Sequence, residues 1–244
     1  MKRFKTLFLA LCLILPLAAS QAQEKATMTS DRVKPKPGKD AALKKALADH
    51  VAKYHTGNWK WRVFSVLSGP DAGAYMLNEG PNTWTALEGR KEISDEHTRD
   101  YESNVTPLVE SNGSSLFLVF QKELSVDSSG GKFTKALLRH IYPKPGKGPR
   151  LVEYFKTWKP VWQKLGMQVV VWSTFYSGEP QFIVSYRLPR GFVDLEQSKT
   201  KALREGFDEI AGPGAYARYL EDLDKYVDRV SEEMIELLPE VSSK

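Results

Sequence analysis

The chain has one cysteine, Cys12, and it lies inside an apolar run from Leu7 to Leu17 near the N-terminus. Beyond that run there is no thiol, which excludes disulfide staples and thiolate metal sites from the rest of the chain. Without staples, the fold has to be held by a hydrophobic core. Long apolar stretches are lacking too. The run from Leu7 to Leu17 is shorter than the ~20 residues needed to cross a bilayer, and no later segment approaches that length. An excess of charge of one sign is also missing. The sequence pI is about 9.1, yet three of the 35 Lys and Arg residues and none of the 30 Asp and Glu residues fall in residues 1–22, leaving a balance of +2 with the signs interspersed. Such a distribution offers no footprint for a polyanion, so nucleic acid is not expected as a partner.

Several chemistry-bearing patterns are absent as well: no GxSxG elbow, HExxH helix, GxGxxG turn or EF-hand loop occurs. The PKPGK stretches at 35–39 and 143–147 lack the second glycine and the Ser or Thr of a phosphate-binding loop. Paired carboxylates suited to acid and base work are not visible. The acidic runs EDLDKY (221–226) and SEEMIE (231–236) are expected as solvated helix faces.

What is present begins at the N-terminus. Lys2, Arg3 and Lys5, the apolar run, and the small residues Ser20 and Ala22 before Gln23 have the three-part form of a secretory signal. Residues 1–22 are therefore expected to be removed, leaving an exported protein, periplasmic or secreted, with no membrane association.

The remainder is written twice. At an offset of 108, VKPKPGK (33–39) meets IYPKPGK (141–147), Tyr54 meets Trp162, Val63 meets Val171, Phe64 meets Trp172 and Ser65 meets Ser173. AGPGA (211–215) has no counterpart and is expected to break a helix in the second copy. Copies of about this length are small domains rather than solenoid repeats, at 23–127 and 131–244.

Each copy shows the same order of elements. In the second, FTKALLRHIY (133–142) forms a strand and PKPGK a turn, followed by a helix with Leu151, Phe155, Trp158, Trp162 and Leu165 on one stripe. A hairpin of MQVVVWSTFY and QFIVSYRL comes next, then a helical region and a last strand; in the first copy SLFLVFQKEL (115–124) takes that last place. The order β-α-β-β-α-β is the ferredoxin-like motif. Both faces of VVVW (169–172) are apolar, so burial on both sides is expected. The fold class is therefore α+β, two tandem ferredoxin-like domains whose sheets pair into one α+β barrel with the helices outside.

The residues of the second copy resemble a known family. Its Tyr142-x-Lys144-Pro145-Gly146-Lys147 turn, amphipathic helix, Leu165-Gly166-Met167, Trp172 and Ser177-Gly178 turn are similar to the NIPSNAP group of the dimeric α+β barrel superfamily. That resemblance implies the barrel fold. The superfamily it points to includes cofactor-independent monooxygenases, haem-degrading and haem-peroxidase enzymes, and members without assigned activity.

If the strand face carrying Leu138, His140 and Tyr142 lines the barrel, His140 becomes the candidate for proton transfer or haem contact. Trp61, Trp172, Tyr176, Tyr186 and Tyr142 are candidates for an aromatic wall around a small, partly apolar ligand. His50 and His55, placed five apart on one helix, would project about 140° from each other and fail to share a metal. No metal or cofactor is expected. The functions consistent with this pattern are binding or processing of a small molecule in the lumen, a cofactor-independent monooxygenase or haem-interacting enzyme, and a non-catalytic scaffold with a filled barrel. A homo-oligomer is compatible with each.

Overall fold

The computed structural model describes residues 26–90, 93–126, 132–174, 176–196 and 200–244. The signal-like segment 1–22, Cys12 included, lies outside them. The first half runs β1 (Thr27–Pro35), α1 (Asp40–Tyr54), β2 (Trp61–Val66), β3 (Tyr75–Asn82), α2 (Trp84–Glu88), α3 (Asp95–Asp100) and β4 (Val109–Phe120). The second runs β5 (Lys135–Pro143), α4 (Gly148–Lys164), β6 (Val169–Ser173), β7 (Phe182–Leu188), α5 (Val193–Glu196), α6 (Thr200–Ala211), α7 (Ala215–Tyr226) and β8 (Val227–Leu237).

The eight antiparallel strands close into a barrel in the order β1-β3-β2-β8-β5-β7-β6-β4. Each half supplies a four-stranded sheet, and two seams join them. At one, Phe64, Ser65 and Val66 of β2 face Leu237, Glu236 and Ile235 of β8. At the other, Val119 and Phe120 of β4 face Ser173 and Trp172 of β6. Closure leaves no sheet edge exposed. It also separates two environments along every strand: one face points into the lumen, the other under helices.

The PKPGK stretches are turns. Gly38 and Gly146 adopt left-handed backbone with φ of 71° and 72°, and Lys39 and Lys147 donate their backbone N–H to the carbonyls of Lys36 and Lys144, each at 2.9 Å. Pro fixes the approach and Gly supplies the positive φ, so both copies lead from a strand into the first helix of their half.

Three apolar clusters follow from this architecture. Leu43, Leu47 and Val51 of α1 pack on Val63, Tyr75 and Leu77 outside the first sheet. Leu151, Phe155, Trp158 and Trp162 of α4 pack with Phe207 on Val169, Val171, Phe182 and Val184 outside the second. A third cluster, with Phe64, Met76, Leu118, Leu138, Ile183 and Ile235, lies in the lumen. AGPGA separates α6 from α7, with Gly214 left-handed at the start of α7.

Two segments differ from the sequence expectation. β4 begins at Val109 and takes in the polar ESNGSS, because its ladder with β1 satisfies the backbone there whatever the side chains. SEEMIE is not helical. It lies in β8, where Ser231, Glu233 and Ile235 line the lumen while Glu232 and Glu236 pair with Arg139 and Lys135 outside it. The acidic run suits either period, and pairing with β5 over most of its length decides for the strand.

The turn between β2 and β3 folds tightly over β8. Leu67 N donates to Met234 O at 2.7 Å, and Met234 N to Ser68 Oγ at 3.1 Å. Gly69 has φ of 93°, and a Cβ there would sit 2.7 Å from Glu232 O and 2.8 Å from Glu233 Cβ. Both the backbone angle and the contact exclude a side chain. Gly69→Ala is expected to lower stability by more than about 1 kcal/mol in urea unfolding, a larger cost than substitution at an unstrained surface glycine.

Candidate functional site

The lumen holds a cavity of about 500 Å³. Its middle is apolar, formed by Phe64, Met76, Leu116, Leu118, Ile183 and Trp172. Strand register places polar groups at the two ends. His140 pairs with Ile183 and Ser231, so it stands with Gln181 and Glu233 toward one end, while Arg62 and Arg187 line the other.

Four side chains form a chain of hydrogen bonds at the first end. Arg32 Nη2 and His140 Nε2 both donate to Glu233 Oε1, the latter at 3.1 Å. His140 Nδ1 lies 2.8 Å from Gln181 Oε1. Arg32 is 7% exposed and Glu233 4%. Burial pushes the Glu233 carboxyl up, but the hydrogen bond from His140 and the Arg32 charge outweigh it and hold the group below the usual carboxylate range. Glu233 is therefore an ionised acceptor, which keeps a proton on His140 Nε2. Gln181 can present either end of its amide to Nδ1, accepting from it or donating to it.

The guanidinium is incompletely used. Arg32 Nε and Nη1 are buried with no hydrogen-bond acceptor in reach; Asp71 Oδ2 is 3.6 Å from Nε. Buried donors of this kind are costly to leave unmade. Arg32 is a residue of the cavity wall, and Asp71 is the group nearest to its Nε.

Of the residues expected at an aromatic wall, Trp172 and Tyr142 line the cavity, as does His140. Tyr142 carries the Arg229 guanidinium 3.3 Å above its ring. The other three lie elsewhere. Trp61 is on the outer face of β2, stacked on His55 with ring centroids 3.6 Å apart. Tyr186 is on the outer face of β7 under α4, edge-on to Trp162, and burial pushes its hydroxyl up to about 12. Tyr176 lies beyond the end of β6, 74% exposed, against Trp84. The reason is the period of two: Trp61 and Tyr186 point away from the lumen, and Tyr176 has left the strand.

Sequence reasoning missed Arg32 and Glu233. Glu233 was hidden by the helical interpretation of SEEMIE. Arg32 had a usable signal: at the offset of 108 that aligns the PKPGK turns it corresponds to His140, so one position in each half contributes a group to the same carboxylate.

The expectation for His50 and His55 also needs correction. The helix α1 ends at Tyr54, and His55 leaves it with ψ of 65°. Helical spacing no longer applies, and the two Nε2 atoms come within 3.3 Å of each other.

With the geometry in hand, the chain can be set beside proteins of known structure. It is similar to a provisionally assigned monooxygenase from Fusobacterium nucleatum, with a TM-score of 0.57 at 14% identity over 87% of this chain and 92% of that one. An anthrone oxidase-like protein superposes with a TM-score of 0.57 at 11% identity, covering 88% of this chain and 92% of that one. A mutant chlorite dismutase from Candidatus Nitrospira defluvii, in complex with cyanide, does so with 0.57 at 9% identity, covering 89% and 92%. This chain has the dimeric α+β barrel fold. No family model and no curated protein matches it. Both sheets of its barrel come from one chain, and among the described residues no helix is long and apolar enough to cross a membrane.

The buried network makes two expectations testable. Glu233→Gln leaves Arg32 with only Asp71, 3.6 Å from Nε, as counter-charge and is expected to cost about 3–5 kcal/mol of unfolding free energy, while Arg32→Met combined with Glu233→Gln recovers much of it. Because the folded Glu233 carboxyl is depressed, its contribution is full above the unfolded value near ~4.3 and is lost as pH falls through the folded value. Urea midpoints measured between neutral and acid pH should fall more steeply for the wild type than for the double variant; parallel curves would contradict the assignment.

Proposed function

We propose that this protein binds and processes a small, partly apolar molecule carrying an oxygen anion or an acidic carbonyl, within the barrel lumen. The observation that carries this reading is a cavity of about 500 Å³ with apolar walls, lined at one end by the hydrogen-bonded Arg32, Glu233 and His140. Apolar walls with a few convergent polar groups are the usual form of a small-molecule site. The scaffold alternative, which requires a filled barrel, loses support from the same cavity.

As an enzyme, the arrangement suits abstraction of a proton from an electron-rich substrate. Arg32 would hold the developing oxyanion, Glu233 would keep His140 in one tautomer, and His140 Nδ1 would take the proton once the substrate displaces Gln181. Reaction of the resulting carbanion or enolate with dioxygen, as in cofactor-independent monooxygenases, is the activity proposed; the names of two structural neighbours support that direction. Haem contact through His140 would require the same displacement of Gln181 from Nδ1, with Glu233 on the other ring nitrogen. We place the chain among NIPSNAP-like proteins on the strength of the Tyr142 to Lys147 turn and Trp172. We also propose export, on the form of residues 1–22.

The test begins with native mass spectrometry of protein purified from its own host, seeking a retained small molecule, followed by calorimetric titration of phenolic and β-dicarbonyl compounds. Arg32→Lys keeps the charge beside Glu233 but removes the fork, and is expected to weaken acidic ligands about 10–100-fold while leaving neutral aromatics nearly unaffected. His140→Ala is expected to lower oxygen consumption with a turned-over ligand about 10²–10⁴-fold. If no compound binds the wild type, or if Arg32→Lys changes no affinity, the reading fails.

A further inference from the structure

A second group of chemistry-bearing residues lies outside the barrel, between the first sheet and the helices covering it. We propose that His50, His55 and His97 form a binding site for a divalent transition-metal ion of the zinc type. The site is separate from the lumen and does not depend on its function.

Three elements bring the imidazoles together: α1 supplies His50, the turn after it His55, and α3 His97. All three are buried, at 1%, 0% and 8% exposure. His55 Nε2 is 3.3 Å from His50 Nε2 and 3.3 Å from His97 Nε2, and the ligand atoms of the three all lie within 4.8 Å of one another. Bonds of 2.0–2.1 Å to a tetrahedral ion place neighbouring ligand atoms about 3.3–3.4 Å apart. Two sides of the triangle already have that length.

The outer nitrogens of His50 and His55 are held as those of metal-bound histidines usually are. His50 Nδ1 donates to Asp100 Oδ2 at 2.8 Å, and His55 Nδ1 to the Trp59 carbonyl at 3.0 Å. These partners decide the tautomers. A carbonyl only accepts, and so does a carboxylate, so the proton of each neutral ring is on Nδ1 and a lone pair is on Nε2. His50 and His55 therefore aim two lone pairs at each other across 3.3 Å. A cation between them turns that repulsion into coordination.

The other half of the chain shows what the fold does with this space when no ligand set is needed. At the offset of 108, His50 corresponds to Trp158, which packs with Trp162, Phe207 and Tyr219 into an apolar layer. In the first half, imidazoles occupy the corresponding layer, walled by Tyr54, Trp61 and Tyr101. Three nitrogen donors without thiolate favour zinc, with cobalt, nickel or copper able to substitute.

The experiment uses the full-length purified protein, stripped with a chelator and titrated with Zn(II), then with Co(II) as a spectroscopic substitute. The expected result is one equivalent bound by elemental analysis, the visible bands of four-coordinate Co(II), and a metal-dependent rise in Tm. Asp100→Asn, which leaves the ligands in place, is expected to weaken binding about 10–100-fold. His55→Gln should abolish the Co(II) bands, and His140→Ala should leave them unchanged. Circular dichroism checks that each variant is folded; if His55→Gln is not, His97→Gln and Asp100→Asn carry the test. Failure of the wild type to take up an equivalent would overturn the proposal and leave a cluster that shares a proton. So would uptake that survives both the His55 and the His97 substitutions.

Discussion

Every strand has a hydrogen-bonded neighbour on both sides, because the sheet of one half closes edge to edge on the sheet of the other at β2–β8 and β4–β6. That closure is the constraint from which the rest follows. A strand in a closed sheet has no solvent edge, and where helices cover the outer face, as over β6 and β7, the strand has two interior faces separated by the pleat. The lumen and the two layers beneath the helices are three separate interiors. Both candidate sites exist because polar side chains were admitted to one of these interiors and held there by specific partners.

In the lumen those partners are charged. Arg32 comes from β1 in the first half, His140 and Glu233 from β5 and β8 in the second, so the network joins the two halves across the lumen. An ion pair buried this deeply is a weak source of stability, since desolvation opposes most of its attraction. What it supplies is placement: a guanidinium, a carboxylate and an imidazole held together at the wall of the cavity. The tight Ser68–Gly69 turn packs on the segment of β8 that carries Glu233, which limits how that carboxylate can move.

Under the first helix layer the same economy of partners applies to a carboxylate and three imidazoles. Glu79, 3% exposed, accepts from Trp61 Nε1 at 2.9 Å and Arg90 Nη2 at 3.0 Å, and its oxygen lies 3.5 Å from His55 Nδ1. Burial pushes its carboxyl up, but His55 and Trp61 hydrogen bonds and the Arg90 charge bring it below the ordinary value. Burial drives the His50 imidazole down to about 4 despite its bond to Asp100. The two halves thus share a backbone plan and differ in chemistry: one layer is aromatic and apolar, the other polar and rich in nitrogen donors.

By itself the sequence determined the order of elements, the turns at PKPGK and the barrel. Proline and glycine constrain the backbone locally, and the period of apolar residues reports which faces are buried. It put His140 and Tyr142 on one strand face by the period of two, while which face meets the lumen depended on the closed register. What it left open depended on long-range pairing. Glu233 faces inward because β8 pairs with β5, and the SEEMIE run alone is compatible with a helix. Trp61 and Tyr186 face outward because strand parity is set by the closed register, and residue type does not reveal it. The three histidines meet because α1 stops at Tyr54 and α3 packs against it, contacts between residues as much as 47 positions apart in the chain. Local preference chooses the elements, and only the packed structure decides which side chains share a space.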